Sequence, residues 1–315
     1  MIKKVVLITG GFGLLGGRLG KFLSNDYNVI LCSRHDKAIP EWARILKTVR
    51  TYKINWESEK SLLDACKGVD IIIHASGLNA QECRDDPDKA LLVNGTYTKR
   101  LVDAAVKLHV NKIVYLSTAH VYSDNLTGFF SEDSPITNNH PYATSHIAGE
   151  EAFLLPLKNN MINSIAVRIT NVFGRPIDKD ANCWMLLIND LCKQAIISKT
   201  LVLNSNSKIV RDFLTLSDFC SAIKFLIEDQ NASGIVNLGS GKAFTIGQIA
   251  LKVQKNCVDV LGYAPIIEYR GGTSNLKEVL NFKAEYLKGN GFKLSNNFDK
   301  EIEDLIYFCK ENFSQ

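Results

Sequence analysis

A short run of branched apolar residues, Val5, Val6, Leu7 and Ile8, breaks directly into a cluster of glycines: Thr9, Gly10, Gly11, Phe12, Gly13, Leu14, Leu15 and Gly16. The apolar run has the composition of a strand buried on both faces. Leu14 to Leu23 then spaces its apolar residues as an amphipathic helix does. Few folds need a strand, a glycine turn and a helix in immediate succession. A dinucleotide site does, because the turn must be tight, the backbone must approach a pyrophosphate, and the helix must pack close to the strand. Glycine meets all three demands without a Cβ clash, and the helix N-terminus offers free N–H groups to the phosphates. Two spacings fit at once, Gly11-x-Gly13-x-x-Gly16 and Gly10-x-x-Gly13-x-x-Gly16. The segment predicts a cofactor site built on Gly10, Gly11, Phe12, Gly13, Leu14 and Gly16.

The alternation continues down the chain. Tyr27 to Cys32 reads as the second strand. At an NAD site an acid closes this strand and bonds the adenosine ribose hydroxyls. Here Ser33 and Arg34 come first, then His35 and Asp36. Ser33 with Arg34 suits a 2′-phosphate and favours NADP, while Asp36 keeps NAD open; a solvated loop charge is the plainer alternative for Arg34. Thr48 to Ile54 reads as a third strand, with Asn55 placed to touch an adenine edge. Ser58 to Cys66 reads as a helix with Ser58 at its N-cap, and Val69 to His74 as a fourth strand. Ala75, Ser76 and Gly77 follow, small enough to leave room for a cofactor. A long helix is expected over Ala90–His109, with Leu101, Val102, Ala105 and Leu108 at helical spacing, and a fifth strand over Asn111–Ser117. The expected fold is α/β: a Rossmann-type, doubly wound parallel sheet with ligands at the strand C-termini.

Composition narrows the partners. The 37 basic and 33 acidic residues leave a formal charge of +4 with no basic block, so nucleic acid is not expected. Met1 to Ile8 lacks the apolar length of a signal peptide, and no run is long enough to span a membrane. Eight cysteines are scattered singly with no CxxC pair, reading as reduced core or surface thiols of a cytoplasmic protein, and no metal site is expected.

The chemistry-bearing stretch leaves the fifth strand. Ser117, Thr118, Ala119, His120, Val121 and Tyr122 come first; Pro141, Tyr142, Ala143, Thr144, Ser145 and His146 then open a helix running through Phe153. Tyr142 and His146, four apart, share one helical face. A hydroxyl at a strand end and a tyrosine at a helix start can converge on one carbonyl or alcohol, as proton transfer coupled to hydride transfer requires.

With these pieces in order the chain resembles the extended short-chain dehydrogenase/reductases, the group that modifies nucleotide sugars. The likeness adds Val93-Asn94-Gly95-Thr96, Leu116-Ser117-Thr118, Arg168-x-x-Asn171-Val172-Phe173-Gly174-Arg175-Pro176, Arg211-Asp212-Phe213 and Asn237-Leu238-Gly239-Ser240-Gly241. The resemblance implies a cofactor domain over 1–174 that also carries the catalytic residues. It implies a smaller C-terminal α/β substrate-binding region over 175–315, with some segments returning to the core. It implies Tyr142 as general acid/base, Thr118 on the reacting oxygen and Asn94 near the cofactor. Ser117, Asn171, Arg211 and Arg270 fall to a nucleotide-sugar substrate, and Arg211 is suited to the diphosphate. Family members pair the helices equivalent to Ala90–His109 and Tyr142–Leu155 across a two-fold axis, so a homodimer is expected.

Two departures matter. The family motif is Tyr-x-x-x-Lys, and this chain has His146 in place of the lysine, which holds the nicotinamide ribose and lowers the tyrosine pKa. Histidine, with an ordinary pKa near 6.5, carries little charge at neutral pH. The dehydratases carry Asp-Glu after the hydroxyl residue, where this chain has Ala119 and His120. His120 is either an extra acid or base, or a loop residue near the substrate. Two functions remain in view. One is an NAD(P)-dependent epimerase or 4-keto reductase acting on a nucleotide-linked sugar; the other is a cofactor-sensing protein that has lost catalytic strength.

Overall fold

Val6 and Ile8 pack into one hydrophobic cluster and Leu7 into another, and all three are fully buried. Alternate residues of one strand thus feed two cores, one on each face of a sheet. Burial on this scale contributes roughly 1.5–3 kcal/mol per large aliphatic side chain. The computed structural model of the chain describes residues 3–159, 161–271, 278–295 and 297–314; Met1 and Ile2, the start of the N-terminal stretch, lie outside the described residues.

The strands in chain order are β1 Val5–Thr9, β2 Asn28–Ser33, β3 Val49–Lys53, β4 Ile71–His74, β5 Lys112–Thr118, β6 Gly128–Phe130, β7 Asn163–Ile169, β8 Asn171–Phe173, β9 Thr200–Leu203, β10 Val210–Thr215, β11 Gly234–Leu238, β12 Ala243–Thr245, β13 Ile266–Tyr269 and β14 Leu280–Phe282. The α-helices are α1 Leu14–Leu23, α2 Glu59–Cys66, α3 Ala80–Asp85, α4 Pro87–Ala90, α5 Thr98–Lys107, α6 Pro141–Lys158, α7 Leu187–Ile197, α8 Leu216–Glu228, α9 Ile246–Leu261, α10 Glu285–Gly289 and α11 Phe298–Phe313.

Seven strands form one parallel sheet in the order β11-β7-β5-β4-β1-β2-β3. The direction of winding reverses between β1 and β4, which opens a crevice at their C-terminal ends. This is the doubly wound α/β fold expected from the sequence. The C-terminal half, with β6 joining from the N-terminal half, adds a three-stranded sheet, β12-β10-β8, and two parallel pairs, β13-β9 and β14-β6. It also returns two elements to the large sheet: β11 pairs with β7, and α8 packs Phe219, Ile223 and Leu226 into the same core as Val6 and Ile8.

The helix expected over Ala90–His109 is in three pieces. Pro87–Ala90 is α-helical, Leu91–Tyr97 is a π-helical turn, and α5 ends at Lys107, before His109 adopts a positive φ of 53°. Helical spacing alone does not reveal the wider turn, whose cause is tertiary: it holds Asn94 in a buried position where its side chain bonds two other segments. All eight cysteines are buried and unpaired, so the core alternative of the two expected holds. Among the described residues no helix is long and apolar enough to cross a membrane, and no acidic, histidine and cysteine side chains cluster as a metal site.

Candidate active site

The glycine turn closes on itself. Gly10 has a φ of +63°, open to glycine at little cost, and a Cβ there would sit 2.6 Å from the Ala75 carbonyl oxygen. A Cβ on Gly16 would run into the Gly10 carbonyl, so Gly16 is what lets α1 start hard against the strand. Gly11 serves a different purpose: its Cβ would lie 2.9 Å from Leu31 Cα, and its N–H donates to Cys32 O at 3.1 Å. It packs against β2 and is not among the residues lining the cleft. Gly13 does line the cleft, and a Cβ there would meet only Gly10 O at 3.4 Å. No side chain caps α1 at Gly13 and no acid occupies its first turn. The positive end of the helix is left available to an anion. The cradle therefore fits a dinucleotide pyrophosphate.

The cleft has a volume of about 560 Å³ and runs from this turn to the ends of β5 and β7. Phe12, Leu14, Ser33, Arg34, Ala75, Ser76 and Gly77 line one part of it. Ser33 Oγ accepts from His35 N at 3.1 Å, and exposed Arg34 donates through Nε to His35 Nε2 at 3.2 Å. Thr9 Oγ1 accepts from Ala75 N at 3.2 Å and Ser76 N at 3.3 Å, which holds the small-residue loop open. Asn55 is exposed, its side chain turned to accept from Glu57 N, and it does not line the cleft; Trp56, the next residue, does. Asn94 does not line the cleft either. Its Oδ1 accepts from Leu78 N at 2.9 Å and its Nδ2 donates to Ser145 Oγ at 3.0 Å, pinning the loop after β4 to α6.

Thr118 and Tyr142 meet in this cleft. Thr118 ends β5, and its Oγ1 accepts from His120 N at 3.1 Å. Tyr142 is the second residue of α6, which starts sharply because Pro141 fits the first helical position and His140 Nδ1 accepts from Tyr142 N at 3.1 Å. Burial raises the Tyr142 phenol, the Thr118 side chain draws it back, and Cys83 adds to the rise. His146 lies one turn on, its ring edge-to-face with Tyr142 at 4.6 Å between centroids. Its Nδ1 is 2.8 Å from Tyr115 Oη, and burial lowers its pKa from 6.5 to about 4. The ring is neutral at physiological pH.

Ser117, read as a substrate contact, lines the cleft, and its Oγ donates to Glu150 Oε1 at 2.6 Å. Glu150 is 3% exposed and also holds Arg168, through Nε at 3.0 Å and Nη2 at 2.7 Å. The Arg168 guanidinium lies 4.7 Å from the Tyr122 ring centroid. Sequence reasoning did not single out Glu150, although its place eight residues after Tyr142, on the face of α6 that carries His146, was readable.

At the far end His120 and Asn171 line the cleft. Asn171 donates through Nδ2 to Asp212 O at 2.9 Å. Burial, then the charge of Arg211, lowers the His120 pKa, while Asp124 opposes. Arg211 is half-buried beside His120 and does not line the cleft; its Nη1 donates to Val210 O at 2.9 Å. Arg270 stands apart: it is exposed, does not line the cleft, and pairs with Glu268 at 2.7 Å.

Residues 6–239 match the NAD dependent epimerase/dehydratase family. The human dTDP-D-glucose 4,6-dehydratase is 24% identical over 98% of this chain and 91% of its own length. Two solved structures share the fold: a UDP-N-acetylglucosamine 4-epimerase from Methanobrevibacter ruminantium in complex with UDP-N-acetylmuramic acid, and the Thermus thermophilus UDP-glucose 4-epimerase in complex with NAD. The first has a TM-score of 0.82 at 19% identity, covering 98% of each chain. The second has a TM-score of 0.80 at 19% identity, covering 98% of this chain and 99% of the other.

Proposed function

Since the chain belongs to the NAD dependent epimerase/dehydratase family, we propose that it moves a hydride at a carbon of a nucleotide-linked sugar, C4 in our reading, as an epimerase or 4-keto reductase. The observation that carries this reading is the meeting of Thr118, Tyr142 and His146 in one cleft that begins at the glycine turn. A bound nicotinamide dinucleotide supplies the hydride acceptor and donor. Gly10, Gly13 and Gly16 shape its cradle, and the first turn of α1 faces its phosphates. Thr118 bonds the sugar oxygen, and Tyr142 takes or returns its proton. His120 and Asn171 stand at the substrate end, with Arg211 next to His120.

NAD is the cofactor we assign. The Thermus thermophilus epimerase was solved with it, and the NADP expectation rests on Ser33 and Arg34 alone. Elimination of water needs an acid and a base beside the hydroxyl residue. Ala119 is fully buried, and the carboxylate lining the cleft among the described residues is Glu82, bonded to Asn79 N in a helix cap. Dehydration is therefore the less favoured chemistry. The exposed Leu91, Leu92 and Leu155 lie on the helices expected to pair, which supports a homodimer. Eight unpaired thiols fit a reducing compartment such as the cytoplasm.

One observation favours a second reading. His146 is neutral, so it brings no positive charge to a phenol that burial has raised. A cofactor-holding protein with weak turnover would look the same. The experiment is to identify the dinucleotide retained on purification, then to follow a panel of UDP- and dTDP-sugars by NMR. Conversion to the C4 epimer or a reduced sugar supports the enzyme; retained NAD without turnover across the panel supports the second reading.

A further inference from the structure

We propose that Tyr115 is a positioning residue that sets the tautomer of His146: its hydroxyl donates to Nδ1, which leaves the ring proton on Nε2 and makes that nitrogen a donor to an oxygen of the nicotinamide ribose. The ligand half of this inference rests on the functional reading above; the tautomer half does not.

Tyr115 is 1% exposed in β5, and its Oη lies 2.8 Å from His146 Nδ1. Burial pushes its phenol well above the ordinary value, so the O–H is retained, while His146 is neutral and carries one N–H. The bond can therefore run in two directions. If Nδ1–H donated to Oη, the Tyr115 O–H would need another acceptor, and among the described residues His146 is its one hydrogen-bond partner. A buried donor left without an acceptor loses the hydration it had in water and gains nothing in return. The phenol is therefore the donor and the proton sits on Nε2. That nitrogen has no hydrogen-bond partner among the described residues, it is not an orphan sealed in the core, and His146 lines the cleft. A lone donor is thus presented to the space where the cofactor would lie.

A separate feature points the same way. Three residues after His146, α6 carries Gly149, where an added Cβ would collide with Tyr115 Oη and sit 2.7 Å from Asn94 O. Glycine inside a helix is destabilising relative to alanine. Here its missing side chain is what admits the hydroxyl. The phenol is also held from its flank. The His74 ring stacks on it at 5.7 Å, itself fixed between Thr9 Oγ1 at 2.6 Å and Thr98 Oγ1 at 2.9 Å.

The test is long-range ¹H–¹⁵N NMR on histidine-labelled protein near pH 7, with the His146 signals assigned by His146→Gln. The expected result is a single Nε2–H tautomer in the wild type. Tyr115→Phe, which removes one oxygen, should mix the tautomers. It should weaken NAD roughly 2- to 10-fold, the worth of one neutral hydrogen bond, and leave ADP, which lacks that ribose, unchanged. Gly149→Ala should reproduce the tautomer change by displacing the phenol. An Nδ1–H tautomer in the wild type, or an unchanged tautomer in Tyr115→Phe, overturns the assignment of Tyr115. Equal weakening of NAD and ADP overturns the ribose contact. A wild type that shows the Nε2–H tautomer but binds no NAD overturns the functional reading and leaves the tautomer assignment standing.

Discussion

Tyr142 and His146 lie edge to face with ring centroids 4.6 Å apart, yet the histidine directs Nδ1 to Tyr115. The two side chains share a face of α6 without sharing a charge. A general base working near neutrality needs its phenol pKa lowered from about 10, and here burial raises it. Tyr142→Phe should cut kcat by roughly 10²–10⁴, the usual worth of a positioned acid/base, and leave NAD affinity intact by calorimetry. His146→Lys should place a cation beside the phenol. Its oxidative kcat near pH 7–8 should equal or exceed wild type, with the pH profile moved to lower pH. An unshifted profile would show that the phenol does not respond to charge at this position.

The buried histidines make a second prediction. His74 is lowered from 6.5 to about 3 and His146 to about 4, both chiefly by burial. Below pH 6.5 the unfolded chain takes protons that the folded chain refuses, so stability should fall as pH drops towards 4. It should be unaffected by these groups above pH 6.5. For His146 alone the loss is on the order of 3 kcal/mol. Urea midpoints at pH 7.0, 6.0 and 5.0 (about a unit apart, above the ordinary carboxylate range) should decline, and more gently in His146→Gln. A flat midpoint over that range would show that these rings are hydrated.

Gly13→Val separates binding from folding. Among the described residues a Cβ at Gly13 would meet Gly10 O alone, 3.4 Å away, so the fold should tolerate it while the side chain fills the pyrophosphate cradle. Dinucleotide binding should vanish in calorimetry with little change in Tm. Gly16→Ala should do the reverse damage and lower stability by about 1–3 kcal/mol through overpacking.

Arg34 is exposed on the cleft, and among the described residues its hydrogen-bond partner is its neighbour His35. If its guanidinium meets a 2′-phosphate, Arg34→Ala should weaken NADP by about 1–3 kcal/mol and leave NAD nearly unchanged. Equal losses for both cofactors would remove it as the discriminator.

Leu155 is 52% exposed on α6, with Leu91 and Leu92 exposed on the neighbouring helical segment. Leu155→Lys should shift a homodimer to monomer in light scattering at micromolar concentration. A wild type that is already monomeric would show that these residues do not form the interface.

The sheet and the glycine turn were legible because both are written locally. Five apolar runs with turn residues between them fix strands, and a glycine needed for a positive φ leaves its mark in the sequence whatever its neighbours are. The placement of Thr118 and Tyr142 in one cleft was legible for the same reason, each lying at the end of a recognisable element. What stayed hidden is the choice of partner. Ser117 lines the cleft but spends its hydroxyl proton on Glu150, and Asn94 is consumed by Leu78 and Ser145. Asn55 folds back on Glu57 while Trp56 reaches the cleft, and Arg270 pairs with Glu268. A polar side chain reads alike in the sequence whether it serves a ligand or a buried carboxylate. The decision lies with residues far along the chain.

The edge strand β11 pairs with β7, although 64 residues separate the end of one from the start of the other. As the polypeptide leaves the ribosome, β7 must therefore wait with an unsatisfied row of N–H and C=O groups while the intervening segment is made. Such an open edge is a template for the wrong strand. A fragment ending at residue 174 would keep that edge permanently. It should be recovered as aggregate, and co-expression of the remaining residues should be what returns it to solution.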